Sequence, residues 1–471
     1  MNAGSSDQVA IHWFRRDLRL ADNPALVAAA ANGTVVPVFV LDPETEALGS
    51  ASRWRLGLGL ERLAESLEKA GSRLVLRRGR AEDVLPALVR ETGAAGLHWQ
   101  RLPEPAWQAR DQWVASVLAG TAVSVTQHAG HLLHEPADVA TLGGGPYKVF
   151  TPFWNAIGPR EVEEPLPAPR LRSPRTWPAS DERADWQLHR DMQRGAAVVA
   201  GHVHVGEKAA RRRLDGFIEA RLAAYRSDRD RPDRPATSGL SENLTWGEIS
   251  CRQVWTIVRQ HGGAGTDAFL RELAWREFAW HLMHHFPKLA RKSWRAAWSD
   301  FPWRPDNGDA ERWRRGMTGE PLVDAGMREL LVTGTMHNRV RMVVASYLTK
   351  HLLTDWRVGL AWFEDCLVDW DPASNALNWQ WVAGSGPDAA PYFRIFNPAG
   401  QADRHDPDGT YRRHFVRGWG GARPTANADA FFDAAPRSWK LDRDAEPPEP
   451  VISLAEGRRR ALAAYEDFRR S

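Results

Sequence analysis

The stretch TVVPVFVLDPETEALGSASRWRLGLGLERLAESLEKAGSRLVLRRG, residues 34–79, decides the fold of the N-terminal part. It opens with a Val-rich apolar run, which is typical of a buried strand. Residues 52–71 then carry apolar side chains at the three-four spacing of an amphipathic helix. A second strand-like run follows at residues 72–79. Strand, helix and strand in this order predict a parallel βαβ unit.

The same alternation continues on both sides of this unit. Residues 9–14, 96–100 and 122–128 also resemble short apolar strands, and residues 81–93 have helical periodicity. Five strands separated by helices predict a Rossmann-like, doubly wound α/β domain with a parallel sheet, which we place at residues 7–134. No GxGxxG follows the first strand, so the usual dinucleotide fingerprint is absent.

The rest of the 471-residue chain divides into a linker and a second domain. Residues 135–204 are proline-rich and irregular in pattern, which predicts an interdomain linker. Apolar residues at three-four spacing recur from there to the end, so residues 205–471 are predicted to form an all-α domain. Two domains agree with the length, since single cores rarely grow this large.

Composition narrows the class of protein. Apolar residues make up 43% and charged residues 26%, which is a globular balance rather than a disordered one. A net charge of +3 is compatible with nucleic-acid binding without requiring it. The two cysteines cannot build a disulfide framework, no secretory signal is visible, and no apolar run could span a bilayer. We therefore expect a cytoplasmic protein that is not embedded in a membrane.

Two segments combine polar and aromatic residues in an unusual way. The first, TSGLSENLTWGEIS at residues 237–250, can offer hydroxyls and backbone N–H groups to phosphates, although a plain capped loop would have the same composition. The second, FLRELAWREF at residues 269–278, places Glu272, Trp275 and Arg276 on one helix face. The alternative there is an amphipathic helix with a Glu–Arg pair at its rim.

The segment TGTMHNRVRM places Asn338 and Met342 on one helix face with Arg341 beside them, whereas Arg339 points elsewhere and suits a phosphate. A solvated surface helix would give the same pattern. His281 and His285 have the i, i+4 spacing of metal ligands. Because no HExxH glutamate and no third ligand accompany them, no metal site is predicted.

The stretch LNWQWVAGSG, residues 377–386, sets Trp379 and Trp381 two positions apart in a chain with 23 tryptophans. In a helix such side chains point about 200° apart, toward nearly opposite sides. In a strand they would share a face. A helix would therefore allow the two tryptophans to serve different roles.

Taken together, these motifs resemble the photolyase/cryptochrome family of flavoproteins, and most closely its class I cyclobutane pyrimidine dimer photolyases. The resemblance covers almost the whole chain. It rests on WFRRDLRLADNPAL, PYKVFTPFW, TSGLS, LAWREF, TMHNRVRM, DWDPASN, NWQW and DAAPYFRIFNP.

The resemblance implies FAD in the helical domain, with Asn375 facing flavin N5 and with Arg341 and Asp369 beside the isoalloxazine. The positions that match the family's cofactor-binding residues are Tyr225, Thr237, Ser238, Gly239, Leu240, Ser241, Phe269, Arg341, Asp369, Trp370, Asp371 and Asn375. Gly239 stands where a larger residue is often found.

The resemblance also implies a pocket for a flipped-out pyrimidine dimer. Trp275 and Trp381 match its aromatic walls, and Glu272 matches the acid that hydrogen-bonds the thymine carbonyls. The remaining lesion contacts match Asn338 and Met342, with Thr335 where an aromatic residue is usual. The positions that match phosphate-facing arginines are Arg229, Arg339 and Arg394.

The implied activity is light-driven dimer repair in DNA by a monomeric enzyme. FADH⁻ absorbs near-UV or blue light and passes one electron to the dimer, both cyclobutane C–C bonds break, and the electron returns. Trp379, Trp356 and Trp303 match the tryptophan chain that re-reduces oxidised flavin. A cryptochrome photoreceptor is the alternative, since it shares the FAD site. A six-four photolyase would carry a histidine pair where Asn338 stands.

The antenna chromophore is left open by the sequence. Folate-binding relatives carry an Asn-Glu pair where Ala106 and Trp107 stand, and a Cys-Lys pair where Ala290 and Arg291 stand. The folate pattern is therefore not matched. A deazaflavin, a second flavin or no antenna remain as alternatives.

Overall fold

The structure is a computed structural model that describes residues 8–31, 33–388 and 393–470. Some of the predicted features lie outside these residues. They are the domain start at residue 7, the beginning of the segment inspected for a secretory signal, the final residue of the helical domain, and residues 389–392 of the DAAPYFRIFNP motif.

The five predicted strands form one parallel sheet in the order β3-β2-β1-β4-β5. The third and fifth strands are shorter than the apolar runs that predict them. The observed bounds are β1 (Gln8–Phe14), β2 (Gly33–Leu41), β3 (Val75–Arg78), β4 (Gly96–Gln100) and β5 (Ser124–His128).

Helices cover both faces of this sheet. The strand residues Ile11 and Trp13 share an apolar cluster with α4 and α5, whereas Ala10 and Phe14 share another with α1 and α3, as the alternation of side chains along a strand requires. The doubly wound prediction is confirmed. The helices are α1 (Pro24–Ala31), α2 (Pro43–Glu46), α3 (Ser50–Lys69), α4 (Ala81–Thr92) and α5 (Pro105–Leu118).

The segment predicted as an irregular linker, residues 135–204, contains short helices. The largest, α6 (Phe150–Ile157), holds Pro152 in its first turn, where the N–H group has no intrahelical acceptor to lose. Its Phe150 and Phe153 pack on the helical domain through Phe278. A second helix, α7 (Gly195–Val199), and the 3-10 turns Pro136–Asp138, Arg183–Trp186 and Arg190–Met192 complete the segment.

The second domain is helical, as predicted. Its helices are α8 (Glu207–Ala220), α9 (Tyr225–Asp228), α10 (Ser241–Thr245), α11 (Cys251–His261), α12 (Thr266–His285), α13 (Gly308–Arg314), α14 (Pro321–Thr333), α15 (Asn338–Ser346), α16 (Trp356–Cys366), α17 (Pro372–Ala383), α18 (Pro398–His405), α19 (Thr410–Phe415), α20 (Ala426–Ala434) and α21 (Leu454–Arg470). The remaining 3-10 turns are Ala296–Asp300, Trp419–Gly421 and Arg437–Trp439, and one π-helical turn spans Tyr347–His351.

One apolar run that looked continuous in sequence is broken in a way that matters for function. Helix α14 ends at Thr333, and the following residue, Gly334, takes the left-handed conformation with φ 71° and leaves no room for a side chain beside Val199 and Val368. The chain then restarts as α15, and Asn338 is its first residue. The break therefore brings Asn338 to a helix N-terminus.

Buried arginines tie the two domains together. Arg55 on α3 donates to Glu242 at 2.9 Å and to Glu248 at 2.7 Å, and all three side chains are buried. Arg16, which follows β1, lies 5.1 Å from the ring of Trp246. These contacts fix the segment 237–250 that the sequence marked as a candidate phosphate loop.

The described residues contain no helix long and apolar enough to cross a bilayer. Within the same part of the chain, no group of three His, Cys, Asp or Glu side chains could hold a metal ion. His281 accepts from the backbone N–H of Tyr147 at 3.0 Å, and His285 contacts the carbonyl of Pro136 at 3.2 Å. Both histidines thus have backbone partners.

Candidate active-site cavity

A cavity of about 880 Å³ opens between the helices of the second domain. Nearly all of the residues that the sequence marked as candidates line it. They are Tyr225, Arg229, Thr237, Ser238, Gly239, Leu240, Ser241, Phe269, Glu272, Trp275, Asn338, Arg339, Arg341, Met342, Asp369, Asp371, Asn375, Trp379 and Trp381. Segments more than a hundred residues apart in sequence thus meet at one site.

Four candidate residues lie outside this lining. The Trp370 ring packs 5.5 Å from the Arg16 guanidinium and its carbonyl accepts from that group, so its role as a cofactor contact stays a prediction. Trp370 thus serves the contact with the N-terminal domain. Arg394 lies over the ring of Trp381 at 5.6 Å, beside the cavity. Trp303 and Trp356 lie in the adjoining core.

The loop at residues 237–241 places hydroxyl groups next to the half-buried side chain of Arg213. Gly239 has φ 68°, and a Cβ there would lie 3.2 Å from the guanidinium carbon of Arg213, so glycine suits the position. Arg213 lines the cavity, and Arg221 donates to the Thr237 carbonyl at 3.1 Å. The amphipathic pattern of α8 gave no signal that Arg213 belongs to the site. Hydroxyls and a guanidinium suit phosphate oxygens.

Helix α12 projects Phe269, Glu272 and Trp275 into the cavity. Glu272 forms an ion pair with Arg229, and not with Arg276 as the amphipathic alternative would require. Desolvation opposes the charge of Arg229, but the hydrogen bond and charge of Glu272 raise its pKa above the ordinary value. Both side chains are about a quarter exposed. They therefore remain accessible to a ligand.

The other member of the predicted face, Arg276, turns into the protein instead. It donates to the Cys251 sulfur at 3.0 Å and to the carbonyl of His131 at 3.2 Å, and its Nε lies 3.9 Å from Asp371. Arg276 nevertheless also lines the cavity, so its charge lies at the cavity wall. Burial raises the pKa of the Cys251 thiol to about 12, which keeps that thiol protonated.

Helix α15 supplies Asn338, Arg339, Arg341 and Met342. Arg339 pairs with Asp230 at 2.7 Å. Arg341 reaches both oxygens of Asp369, at 2.8 and 3.1 Å, and its Nε donates to the Met336 carbonyl. The Arg341–Asp369 pair is well bonded, as a buried carboxylate requires.

Helix α17 confirms the expected divergence of its two tryptophans. Trp379 is buried in the core, whereas Trp381 is half-buried and donates its indole N–H to the Asp388 carbonyl at 3.0 Å. At the start of the helix, Asp371 accepts from the Ser374 N–H at 2.8 Å. Asn375 donates its amide to the Leu360 carbonyl, which leaves its side-chain oxygen for the cavity.

The three tryptophans of the predicted electron relay lie in or near helix α16. Trp379 packs so closely on Gly359 of α16 that any Cβ there would overlap its ring. Trp356 begins the same helix one turn earlier and is fully buried. Trp303 is followed by Arg304, which bridges to Thr354 near the start of α16. Each of the three indole N–H groups lacks a hydrogen-bond acceptor among the described residues.

Sequence reasoning missed several acids in the cavity wall, among them Glu329. Glu329 on α14 accepts from the Tyr411 hydroxyl and from the His337 N–H at 3.2 Å. Burial raises its pKa to about 7. Glu329 lies in the segment GMRELLVTG, an apolar helical sequence with one ordinary Arg-Glu pair, so no motif marks this residue.

This arrangement fits a large cofactor that has phosphates at one end and a planar polar ring at the other. The volume is at the upper end of the roughly 300–1,000 Å³ typical of ligand cavities. Hydroxyls and Arg213 serve the phosphate end, while the Arg341–Asp369 pair and the Asn375 oxygen can bond a polar ring. The donor set is that of a flavin site.

Comparison with known proteins agrees with this reading. Residues 269–467 match the family described as the FAD binding domain of DNA photolyase, and residues 10–170 match DNA photolyase. The chain is 45% identical over 469 residues to deoxyribodipyrimidine photo-lyase of Agrobacterium fabrum, with 97% of each covered. It is 36% identical over 434 residues to cryptochrome-2 of Arabidopsis thaliana, covering 87% of this chain and 70% of the relative.

A solved bacterial class III photolyase from Agrobacterium tumefaciens superposes with a TM-score of 0.92 at 43% identity, covering all of both chains. Because that relative is a class III enzyme, the class I grouping expected from the motifs stays a prediction. The similarity extends over both domains and the cavity between the helices. The chain belongs to the photolyase/cryptochrome family and carries its FAD-binding domain.

Proposed function

We propose that this protein repairs cyclobutane pyrimidine dimers in DNA with light, by electron transfer to a dimer flipped into the cavity. One observation carries the proposal. The five candidate lesion contacts line the same cavity as the candidate flavin contacts, and they are Glu272, Trp275, Asn338, Met342 and Trp381. In this account a flavin and a dimer can occupy adjoining parts of one site. The activity is that of a deoxyribodipyrimidine photo-lyase.

The flavin would be held by groups from helices α8, α15 and α17, by Asp369 and by the 237–241 loop. Arg213 and the loop hydroxyls would contact its phosphates, and the Arg341–Asp369 pair and Asn375 would contact the ring. Reduced FAD, once bound, supplies the electron when it absorbs near-UV or blue light. The protein's part is to orient the two reactants and to exclude water between them.

The lesion side combines flat walls with hydrogen-bonding groups. Trp275 and Trp381 would enclose the dimer, and Asn338 and Met342 would contact its remaining edges. Glu272 would hydrogen-bond the carbonyls that gain negative charge when the dimer accepts an electron. Both cyclobutane C–C bonds then break and the electron is returned, so there is no net redox change.

Arg229, Arg339 and Arg394 would contact DNA phosphates near the opening. Arg229 and Arg339 already pair with Glu272 and Asp230, so phosphate binding would exchange one anion for another. Affinity for DNA should fall as salt rises. Extrusion of a base from the stack, which is established for photolyases as a class, costs least where a lesion has weakened stacking.

Trp379, Trp356 and Trp303 would carry an electron from the surface to oxidised flavin. Their indole N–H groups have no acceptor among the described side chains, so an oxidised tryptophan would find no base to take its proton. That environment favours electron transfer from the next tryptophan over trapping of the oxidised tryptophan. The relay would restore the enzyme and take no part in the repair step itself.

We further propose a monomer that acts in the cytoplasm and on the nucleoid. Its cysteines, the buried Cys251 and the half-buried Cys366, are both unpaired, which suits a reducing compartment.

The antenna stays a prediction without an identity. Trp107, where folate enzymes differ, is buried under the guanidinium groups of Arg16 and Arg110. A deazaflavin, a second flavin or no antenna are the alternatives.

A blue-light photoreceptor is the second candidate, because the chain is also similar to cryptochrome-2 of Arabidopsis thaliana. The deciding experiment uses chemically reduced, FAD-loaded protein and an oligonucleotide with one pyrimidine dimer. Under blue light the dimer should disappear catalytically, and in the dark it should persist. Flavin photochemistry without dimer loss would favour the photoreceptor and reject repair.

A further inference from the structure

The two tryptophan walls of the cavity are joined by residues to which no function has yet been assigned here. Trp275 is half-buried and has one ring face covered by Phe150 of α6, with centroids 3.7 Å apart and planes 7° from parallel. The exposed Arg271 guanidinium lies 5.3 Å from the same Phe150 ring. The stack therefore fixes the plane of Trp275 and leaves its other face for the cavity.

The opposite wall is fixed by Asp388. The backbone carbonyl of Asp388 accepts the indole N–H of Trp381 at 3.0 Å, which limits rotation of that ring. Asp388 has φ 53°, a left-handed conformation that asparagine and aspartate adopt more readily than most residues. It lies five residues beyond the end of α17 and itself lines the cavity.

The two fixtures lie near one another at the first turn of α6. Burial raises the pKa of the Asp388 carboxyl, and the nearby backbone N–H of Phe150, the residue that stacks on Trp275, partly offsets that rise. A carboxylate near a helix N-terminus is favoured by the helix dipole. Asp388 thus lies between the helix that backs Trp275 and the turn that holds Trp381.

We propose that Phe150 and Asp388 act as a brace that sets the spacing and tilt of Trp275 and Trp381 for a flipped dimer. They are positioning residues, since they act through the two tryptophans. The inference rests on the proposed function. Its physical basis is that a misplacement of about 1 Å can cost on the order of a hundredfold in a preorganised site. Without the brace, the Trp275 ring could rotate out of the plane that its stack on Phe150 fixes.

Helix α6 offers a matched pair of variants for the test. Phe150 and Phe153 are 1% and 2% exposed and lie one turn apart, but Phe153 packs on Phe278 and His281, away from Trp275. Phe150→Leu and Phe153→Leu should therefore lose similar amounts of buried area. Only Phe150→Leu removes the stack on the wall.

The measurement is the affinity of FAD-loaded full-length protein for one duplex with and without a single dimer. Phe150→Leu should weaken dimer binding about tenfold, since the wall loses its orientation, and leave the undamaged duplex unaffected because phosphate contacts carry that binding. Phe150→Tyr and Phe153→Leu should both keep the wild-type preference for the duplex that contains the dimer. Equal losses in the two leucine variants, or equal losses for both duplexes, would overturn the brace.

Asp388→Asn gives a second test at a half-buried position where folding is less at risk. Asparagine tolerates the left-handed backbone and keeps the carbonyl for Trp381, but removes the negative charge near the N-terminus of α6. The ratio of dimer to undamaged affinity should fall, by less than in Phe150→Leu. An unchanged ratio contradicts the brace. If the wild type neither prefers nor repairs dimers, the proposed function has failed. If the wild type prefers dimers and the variants prefer them equally, only the brace has failed.

Discussion

The opening of the cavity and the tryptophan relay behind it contrast in how their polar groups are satisfied. At the opening, Arg229 pairs with Glu272 and Arg339 with Asp230, and all four side chains are partly exposed. In the relay, Trp356 and Trp379 are buried, and their indole N–H groups lack acceptors among the described residues. In the proposed function, the arginines at the opening would exchange their carboxylate partners for DNA phosphates. The buried indoles of the relay have no partner with which a proton or an ion could be exchanged.

Helix α17 carries one residue of each region. Trp379 is buried in the core and Trp381 is half-buried, and both also line the cavity. Residues two apart on a helix diverge by about 200°. In the proposed function, the same helix would serve recharging of the cofactor through Trp379 and recognition of the lesion through Trp381. Variants that affect one side alone can separate the two tasks.

The largest effect is expected from Trp303→Phe, which removes the outermost member of the relay. Photoreduction of oxidised flavin should slow by about a hundredfold, equivalent to ~2.7 kcal/mol of barrier, since phenylalanine is much harder to oxidise. Repair by chemically reduced enzyme should not change. Flavin absorbance under illumination with an external donor measures the rate.

Trp294→Phe is the control for that experiment, because Trp294 is half-buried and packs on Phe286 outside the relay and the cavity lining. It should photoreduce like the wild type. If Trp303→Phe photoreduces as fast as Trp294→Phe, electrons reach the flavin by another route.

Glu272→Ala tests the opening and should have the next largest effect. The repair yield per absorbed photon should fall by about tenfold with FAD still bound. This is less than a fully enclosed oxyanion donor would cost, because Glu272 is partly exposed. Glu272→Gln, which keeps a hydrogen-bonding group, should lose less. An unchanged yield in the alanine variant would remove the role assigned to this side chain.

Arg339→Ala should weaken DNA binding several-fold. The slope of log affinity against log salt should become shallower by about one, as expected when one phosphate contact is lost. Arg417→Ala, which breaks a pair with Asp429 outside the cavity lining, should leave the slope unchanged. Equal slopes for the wild type and Arg339→Ala would place the phosphate elsewhere.

The smallest effect concerns Glu329, whose pKa burial raises from 4.5 to about 7. The folded state then binds more protons than the unfolded state between these values, so stability falls as pH rises through that window. In Glu329→Gln, the melting temperature should fall less between pH 5 and pH 8 than in the wild type. The exposed Glu219→Gln should behave like the wild type. Parallel curves for all three would contradict the assignment.

The sequence predicted the sheet, the helical domain and most of the cavity lining because those features depend on local periodicity and on motifs. The strands alternate between two apolar clusters, and LAWREF on α12 and NRVRM on α15 lie on helices as their spacing requires. Trp370 lies outside the cavity lining although its neighbours Asp369 and Asp371 belong to it, and sequence adjacency does not reveal its contact with Arg16.

What the sequence did not reveal depends on long-range contacts between ordinary residues. Glu329 and Arg213 enter the site through partners far away in sequence, Tyr411 and Asn243 among them. The Phe150–Trp275 stack joins a segment predicted to be an irregular linker to the central helix of the site. No local pattern encodes such pairings, since only the folded chain brings the partners together.

The division of labour on α17 is tested most directly by Trp379→Phe and Trp381→Phe in two assays on the same preparations. The first assay is photoreduction of oxidised flavin, and the second is light-dependent dimer repair by chemically reduced enzyme. The account predicts that Trp379→Phe loses photoreduction and keeps repair, whereas Trp381→Phe keeps photoreduction and loses repair. Equal losses of both activities in both variants would contradict it.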